Sequence, residues 1–593
     1  MSDRRQRPCL LGVERSLTGK RWEARGQDER LALALSQRLG QPELLGRVLA
    51  ARGVTLEAAE AFLAPTLRDQ LPDPAVLADM EPAVDRLAAA IVGGERVAVF
   101  GDYDVDGATS AALLTRFFAA VGGRLQVYVP DRQREGYGPN ETALLALHAQ
   151  GVGLVVTVDC GITAHAPLGA ARAAGLDVVV VDHHAAEPEL PSAIAVVNPN
   201  RLDDGSGLKQ LAAVGVVFLL VVALNRKLRQ AGWYADRPEP NLLQWLDLVA
   251  LGTVCDVVPL TGLNRVLVAQ GLKVLARRRN AGLAALVDVC RLDGTPCAWH
   301  LGFLLGPRVN AGGRVGRSDL GARLLAGDDP AEVAALAAEL DALNGERRAI
   351  EAAVLAEATA QVEGAGVVDD LVFAAGEGWP PGVIGIVAAR LRERFERPAI
   401  VVALGEGGIG KGSGRSVPGL DLGAAVIAAR QAGLLVNGGG HPMAAGLTVA
   451  GARLGELRAF LSERIGQALA RSGWRPALGI DGVLHPQGAN VELLRRLESI
   501  EPCGAGNPEP RFVLPNVRVA RADPVGDRHL RLQLAAEGGG RLKAIAFRAF
   551  DGPLGAALGQ RRGLPVHVAG RIRADSWAGA DAVQLHLEDA AEV

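Results

Sequence analysis

RVAVFGDYDVDG, residues Arg96 to Gly107, is the stretch whose reading decides the fold. An apolar strand, RVAVF, runs directly into Asp102, Asp104 and Asp106 at alternate positions, then into a glycine and an apolar helical stretch, Ala108–Ala120. The alternation continues downstream with LQVYV at 125–129, helical spacing near Thr142–Gln150, LVVTV at 154–158, helical spacing near Ala166–Ala174, and LDVVVV at 176–181. Strands alternating with helices at this interval predict a parallel sheet wound by right-handed crossovers. In such sheets ligands bind beyond the carboxyl ends of the strands. That edge is where the acids fall.

Closely spaced carboxylates repel one another unless a cation sits between them, and hard oxygen ligands suit Mg²⁺ or Mn²⁺. A calcium EF-hand loop also begins DxDxDG, but its twelfth position should be Glu and here is Leu113, and a strand stands where the entering helix should be. On this motif alone an Asp-rich turn capping the next helix stays open. The second strand-end motif, Val158-Asp159-Cys160-Gly161, again puts a carboxylate at a strand tip; alone it reads as a helix cap. The third, Asp182-His183-His184, delivers a carboxylate and two imidazoles to the same edge. Neutral imidazole is a good Mn²⁺ ligand, and its neighbour can hydrogen-bond a phosphate oxygen. The fourth, LGTVCD at Leu251–Asp256, ends an apolar segment in one more acid, which alone reads as a cap or turn residue. Together they predict carboxylates and histidine converging on two metals about 3.5–4 Å apart. Cys160 and Cys255 adjoin two of these acids and raise a softer-metal alternative, against which stands the ordinary reading of small apolar cysteines beside a buried strand.

Beyond the sheet, Glu332–Glu363 runs without proline and spaces Leu336, Leu340, Leu343, Ile350 and Val354 as a helix on the order of 40 Å long. LVFAAG, AIVVALG and GLTVAG then read as strands, with helices near Ile384–Phe395 and Leu422–Gly433, in a smaller α/β domain. VRVARADPV, LRLQLA, LKAIAF and LPVHVAGRI read as a β-rich tail of a length that suits an OB-like barrel. The first 75 residues carry helical patterning, with prolines from Pro65 to Pro82. The glycine-rich GKGSGRS, Gly410–Ser416, reads either as a plain turn or as a phosphate cradle of free backbone N–H groups, with Ser413 and an Arg415 clamp.

At 593 residues and 49% hydrophobic content the chain can bury several cores. Its net charge of −3 gives no global nucleic-acid footprint, so such binding needs a local basic groove. Six scattered cysteines fit reduced thiols in a cytoplasmic protein. The polar start, and an apolar run at Leu211–Leu224 too short to cross a bilayer, predict neither secretion nor membrane insertion. Aromatics are 4% of the chain, and Tyr137, Phe547 and Trp577 are the candidates for base stacking, with Arg541 and Lys543 on the tail.

DxDxDG, VDCG, VDHH and LGTVCD, in this order, resemble the DHH phosphoesterase family. VPDRxxEGYGP at Val129–Pro139, GPRVNAGGR at Gly306–Arg314, GKGSGRS and GGGHPMAAG at Gly438–Gly446 resemble its long exonuclease branch, the last two matching hallmarks of its DHHA1 domain. The resemblance implies an α/β DHH domain with a parallel sheet at 76–330 after a 1–75 helical segment. A connecting helix at 331–366, a DHHA1 domain at 367–470 and an OB-like nucleic-acid-binding domain at 471–593 follow. It further implies two divalent cations, Mn²⁺ or Mg²⁺, one held by Asp102, Asp104 and a bridging Asp159, the other by Asp106, Asp159, His183 and Asp256. Asp104, Asp159 and His184 would be catalytic. His184 would contact the scissile phosphate, and Arg132, Arg308, Ser413, Arg415 and His441 would grip DNA phosphates, assisted by Asn310 and Arg314. Cys160 stands where relatives carry Asn, and Asp102 where the small pyrophosphatase branch carries His. The implied activity is 5′→3′ degradation of single-stranded DNA to mononucleotides in repair and recombination, with a single-strand-binding protein and a RecQ-type helicase as partners. Cleavage of short oligonucleotides or cyclic dinucleotides, and a catalytically dead DNA-binding scaffold, are the alternatives.

Overall fold

The computed structural model describes residues 9–26, 28–132, 134–364, 369–405, 407–575 and 582–593. It divides into two compact units: Gly26–Asn344 with Glu492–Pro510, and residues up to Arg25 with Gly345–Val491 and Arg511–Val593. The helix Pro330–Gly364 carries the chain from one to the other. The opening strand, β1 (Arg21–Ala24), belongs to the second unit.

In the first unit, β2 (Arg96–Gly101), β3 (Arg124–Tyr128), β4 (Leu154–Val158), β5 (Asp177–Val181) and β6 (Ala195–Val197) form a wholly parallel sheet in the order β3-β2-β4-β5-β6. Val97, Val99, Val156 and Val179 pack on one face with the helices Val105–Val121 and Ala213–Gln230; Ala98, Phe100, Val155 and Val180 pack on the other with Leu144, Leu147 and Leu168. Burial on both faces is why these strands read as unbroken apolar runs. The apolar run at 211–224 lies mostly in the buried helix Ala213–Gln230, and among the described residues no helix is long and apolar enough to cross a membrane. Segment 492–510 is tied in by Arg265, whose buried guanidinium donates to the carbonyls of Phe62, Ser499, Ile500 and Glu501.

In the second unit, β7 (Val372–Glu377), β8 (Ala399–Leu404), β9 (Ile409–Arg415), β10 (Asn437–His441) and β11 (Ala444–Ala450) form a mixed sheet, β10-β11-β9-β8-β7, parallel only between β7 and β8. This corrects the reading of GKGSGRS as a turn or a cradle of free N–H groups. It is the central strand β9, laddered to β8 and β11 on its two sides. Its glycines answer a packing demand. A Cβ on Gly410, Gly412 or Gly414 would fall 2.7 Å from Val402, 2.6 Å from Leu447 and 2.7 Å from Leu422 respectively.

The tail is a closed barrel. After β12 (Ala477–Ile480), strands β13 (Gly482–Val483), β14 (Phe512–Val525), β15 (His529–Ala536), β16 (Arg541–Ala546), β17 (Pro565–Ala574) and β18 (Val583–Glu592) run β13-β14-β15-β16-β18-β17, and a β14–β17 pairing closes the ring. Closure removes the exposed edges of an open sheet. Residues 21–24, expected within a helical segment, are instead a strand paired in parallel with β12, and Trp22 Nε1 donates to Asp589 at 2.8 Å.

Candidate metal centre

Three neighbouring strands, β2, β4 and β5, end on the same sheet edge, and each ends in the residues singled out by sequence. After β2, Asp102 is buried and Asp104 turns to cap the next helix, its Oδ1 accepting from the N–H groups of Asp106 and Gly107 at 2.9 and 3.1 Å. That cap starts the helix at Val105, three residues before the expected Ala108. Asp106 then points inward from its first turn, where the amides of Ala213 and Val214 donate to its carboxylate at 2.6 and 2.9 Å. After β4, Asp159 sits at φ +60°, a left-handed backbone uncommon for a side-chain-bearing residue. The fourth acid, Asp256, is the C-cap of the helix Leu246–Cys255.

His183 joins these groups. Its Nε2 lies 3.3 Å from Asp159 Oδ1, 3.6 Å from Asp256 Oδ2 and 3.9 Å from Asp106 Oδ2. On the opposite side of the ring Nδ1 is 3.1 Å from the Leu211 carbonyl, which can only accept. The proton therefore resides on Nδ1, and Nε2 offers its lone pair to the acids. Four buried atoms of this cluster have no hydrogen-bond partner among the described residues: Asp102 Oδ1, Asp159 Oδ1, His183 Nε2 and Asp256 Oδ2. Buried polar atoms are normally satisfied; several orphans on one edge mark a place for a cation. Ligand atoms lie within 4.8 Å of one another in Asp102, Asp104 and Asp159, and again in Asp106, His183 and Asp256, while Asp159 also clusters with His183 and His184. All these groups are Asp or His. Cys160 and Cys255 face backbone carbonyls instead.

The electrostatics carry the same signature. Burial, reinforced by neighbouring carboxylates, raises Asp102 to about 8, Asp106 to about 7 and Asp256 to about 9, and holds Asp159 well above the usual range. Burial, and then the His184 charge, depresses His183 to about 4, so it stays neutral. For His184, burial opposes protonation, but the hydrogen bond and charge of Asp182 overcome it and the net shift is upward.

Asp182, which the motif alone does not distinguish from a metal ligand, turns out to anchor both histidines. Its Oδ1 accepts from the amides of His183 and His184 at 2.7 and 3.1 Å and meets His184 Nδ1 at 2.7 Å; its Oδ2 accepts from Ile162 N–H at 3.1 Å. Asn198 and Asn200, just beyond β6, donate to the carbonyls of His184 and His183. Sequence reasoning missed both; the NPN triplet after a short apolar run was the available signal. Tyr137, a stacking candidate, donates its hydroxyl to the Asp159 carbonyl at 3.0 Å and sets its ring edge-on to His184.

The expected phosphate-binding residues divide between the units. In the first, Arg132 lies over the Tyr103 ring at 4.9 Å, while Arg308, Asn310 and Arg314 share the helix Gly306–Val315. Arg308 donates to Asp341 and to the Leu304 carbonyl, so its fork is partly committed. In the second, Ser413 and Arg415 lie on β9, with Arg415 Nη1 donating to Ser413 Oγ at 3.1 Å; Ala444 pairs with both Arg415 and His441, placing these two in one row across the sheet. Phe547 packs edge-on between His529 and His586, Lys543 pairs with Asp575, and Trp577 lies outside the described residues.

Comparison with known proteins matches residues 96–253 to the DHH family, N-terminal domain, 367–467 to the DHHA1 domain and 480–589 to the RecJ OB domain. The chain is 40% identical over 559 residues to the single-stranded-DNA-specific exonuclease RecJ of Dickeya dadantii, covering 92% of this chain and 96% of that one. Its fold is similar to the crystal structure of RecJ from Thermus thermophilus in complex with Mn²⁺, at TM-score 0.79 and 30% identity over 96% of this chain and 78% of that one. The Mg²⁺ complex from the same organism gives TM-score 0.74 and 28% identity, covering 96% and 77%.

Proposed function

The chain belongs to the RecJ family, and on that premise we propose that it is a metal-dependent exonuclease that degrades single-stranded DNA from the 5′ end to mononucleotides. The observation that carries the hydrolytic part is the set of buried, unpartnered carboxylate and imidazole atoms gathered at one sheet edge. In this reading Asp102, Asp104 and Asp159 hold one divalent cation, and Asp106, Asp159, His183 and Asp256 a second. Mn²⁺ or Mg²⁺ bound there would supply Lewis acidity, lowering the pKa of water and neutralising charge on the phosphoryl oxygens.

The protein groups do the positioning. Asp182 fixes the His184 ring through Nδ1 and shifts it toward the protonated form, which leaves Nε2 as the ring atom turned to the scissile phosphate. Tyr137 steadies the Asp159 backbone in its left-handed conformation. Arg132, Arg308, Ser413, Arg415 and His441 bind backbone phosphates, with Asn310 and Arg314 assisting. We place the enzyme in the cytoplasm, acting in repair and recombination on strands opened by a RecQ-type helicase and covered by a single-strand-binding protein.

End-labelled single- and double-stranded DNA, incubated with Mn²⁺ or Mg²⁺ and either native protein or Asp104→Ala, tests this reading. The expected result is release of 5′ mononucleotides from the single strand by native protein alone. Loss of the Asp104 cap costs about 1 kcal/mol, too little to unfold the chain. No metal-dependent release, or equal release by the variant, would sink the proposal.

A further inference from the structure

Resting on the reading of the chain as a single-strand nuclease, we propose that Trp299 and Phe303 form a base-stacking platform that holds the strand beside the candidate metal centre. Their rings lie 5.6 Å apart, centroid to centroid, at an interplanar angle of 21°, and His300 meets Trp299 edge-on. Trp299 is 54% and Phe303 64% exposed. Aromatics make up only 4% of this chain, so two large rings stacked in solvent are not incidental surface.

The backbone beneath the rings is firmly seated. Leu301–Leu305 is a single π turn with Leu301 and Leu305 fully buried, and such turns recur at functional sites. Cys255, the neighbour of Asp256, contacts the Leu301 carbonyl at 3.5 Å, and Gly302 packs on Val254. The turn therefore rests on the end of the helix that delivers Asp256. It continues directly into the helix Gly306–Val315, whose Gly313 is packed so closely that a Cβ there would fall 2.7 Å from the Tyr103 carbonyl, between Asp102 and Asp104. The platform is thus anchored at both ends to segments that carry the acids.

A nucleobase is the occupant that fits. Both residues are more than half exposed, so each stacked ring keeps surface for a base, and the following helix carries Arg314 and Arg308, the latter partly committed to Asp341, as cations for the intervening phosphates. Stacking of this kind tolerates any base, as degradation without sequence preference requires.

The test begins with turnover of end-labelled single-stranded DNA by native protein in Mn²⁺; its absence would remove the nuclease reading itself. Binding is then measured by fluorescence anisotropy in an Asp104→Ala background, with oligonucleotides made abasic at successive single positions. Trp299→Ala and Phe303→Ala should each weaken binding by about 5- to 150-fold, the range for loss of one aromatic–base stack. An abasic site at the stacked position should weaken binding to the same degree when the rings are present and add no further loss when they are absent. Trp299→Phe should restore affinity, whereas Trp299→Leu, which keeps apolar bulk without a π face, should not. Equal affinity of the alanine variants with their parent, an abasic penalty that survives ring removal, or a change in oligomeric state without a change in DNA affinity would overturn the platform.

Discussion

Gly252, within LGTVCD, holds the helix Leu246–Cys255 against the metal-site acids, and Gly252→Ala should damage the site without replacing any of its proposed ligands. A Cβ at this position would lie 2.3 Å from Thr109 Oγ1, 2.7 Å from Val214 Cγ1 and 3.0 Å from Asp106 Oδ1. Carbon contacts are comfortable at about 3.5–4.0 Å, so relief takes on the order of 1 Å of movement. Thr109 cannot easily yield, because it is fully buried and its hydroxyl donates to the carbonyls of Val105 and Asp106. Val214 is held too, since its amide donates to Asp106 Oδ1. The helix bearing Asp256 must therefore retreat. Overpacking of this kind costs about 1–3 kcal/mol, and a misplacement of about 1 Å near reacting groups costs about 100-fold in rate. Calorimetric titration with Mn²⁺, thermal denaturation and initial rates on single-stranded DNA would measure all three effects. A variant that binds Mn²⁺ and cuts DNA as the native protein does would refute the reasoning. Gly345→Ala is the matched control: it also lies in a helix, but its Cβ meets nothing within 4 Å, and it should gain about 0.5–1 kcal/mol.

Asp182→Asn should lower kcat/KM by about 10- to 100-fold, because an amide cannot accept from all four donors now served by the carboxylate and the charge supporting His184 is gone; steady-state rates that match native protein would deny Asp182 its orienting role. Metal-free protein should lose stability as pH rises from about 4 towards 9, since Asp102, Asp106 and Asp256, raised to about 8, 7 and 9, keep protons in the folded state that the unfolded chain releases near 3.8. Added Mn²⁺ takes the place of those protons, so its rise in Tm over chelated protein should be larger at pH 8.5 than at pH 5; a rise that is equal or larger at pH 5 contradicts the linkage. Gly412→Ala, which drives a Cβ to 2.6 Å from the buried Leu447, should destabilise by about 1–3 kcal/mol, measured by denaturant titration, and no loss would show that the β9 face has slack.

Much of the site was legible before folding. RVAVF, LVVTV and LDVVVV announce strands because a sheet buried on both faces needs continuous apolar runs, and the acids and histidines that follow them had to emerge at one edge once the strands ran parallel. The long connecting helix is legible for the same local reason, its leucines spaced by the helical period. What sequence could not supply lies in contacts between distant segments. LGTVCD ends a helix, not a strand, and nothing in its pattern says that Asp256 reaches His183 or that Gly252 is there to let it. GKGSGRS alternates glycine with polar residues and not apolar with polar, so no hydrophobic pattern advertises β9, and its glycines answer to Val402 and Leu447 on the neighbouring strands and to Leu422 on a packed helix. Residues 21–24 are a strand only because 477–480 lie alongside to receive their hydrogen bonds. Sequence by itself singled out the acids and histidines of the candidate centre and the sheet edge on which most of them emerge, since periodicity and strand direction are local properties. Tertiary structure alone decided which acids converge, which tautomer His183 adopts and why the glycines are where they are, since those depend on what packs opposite.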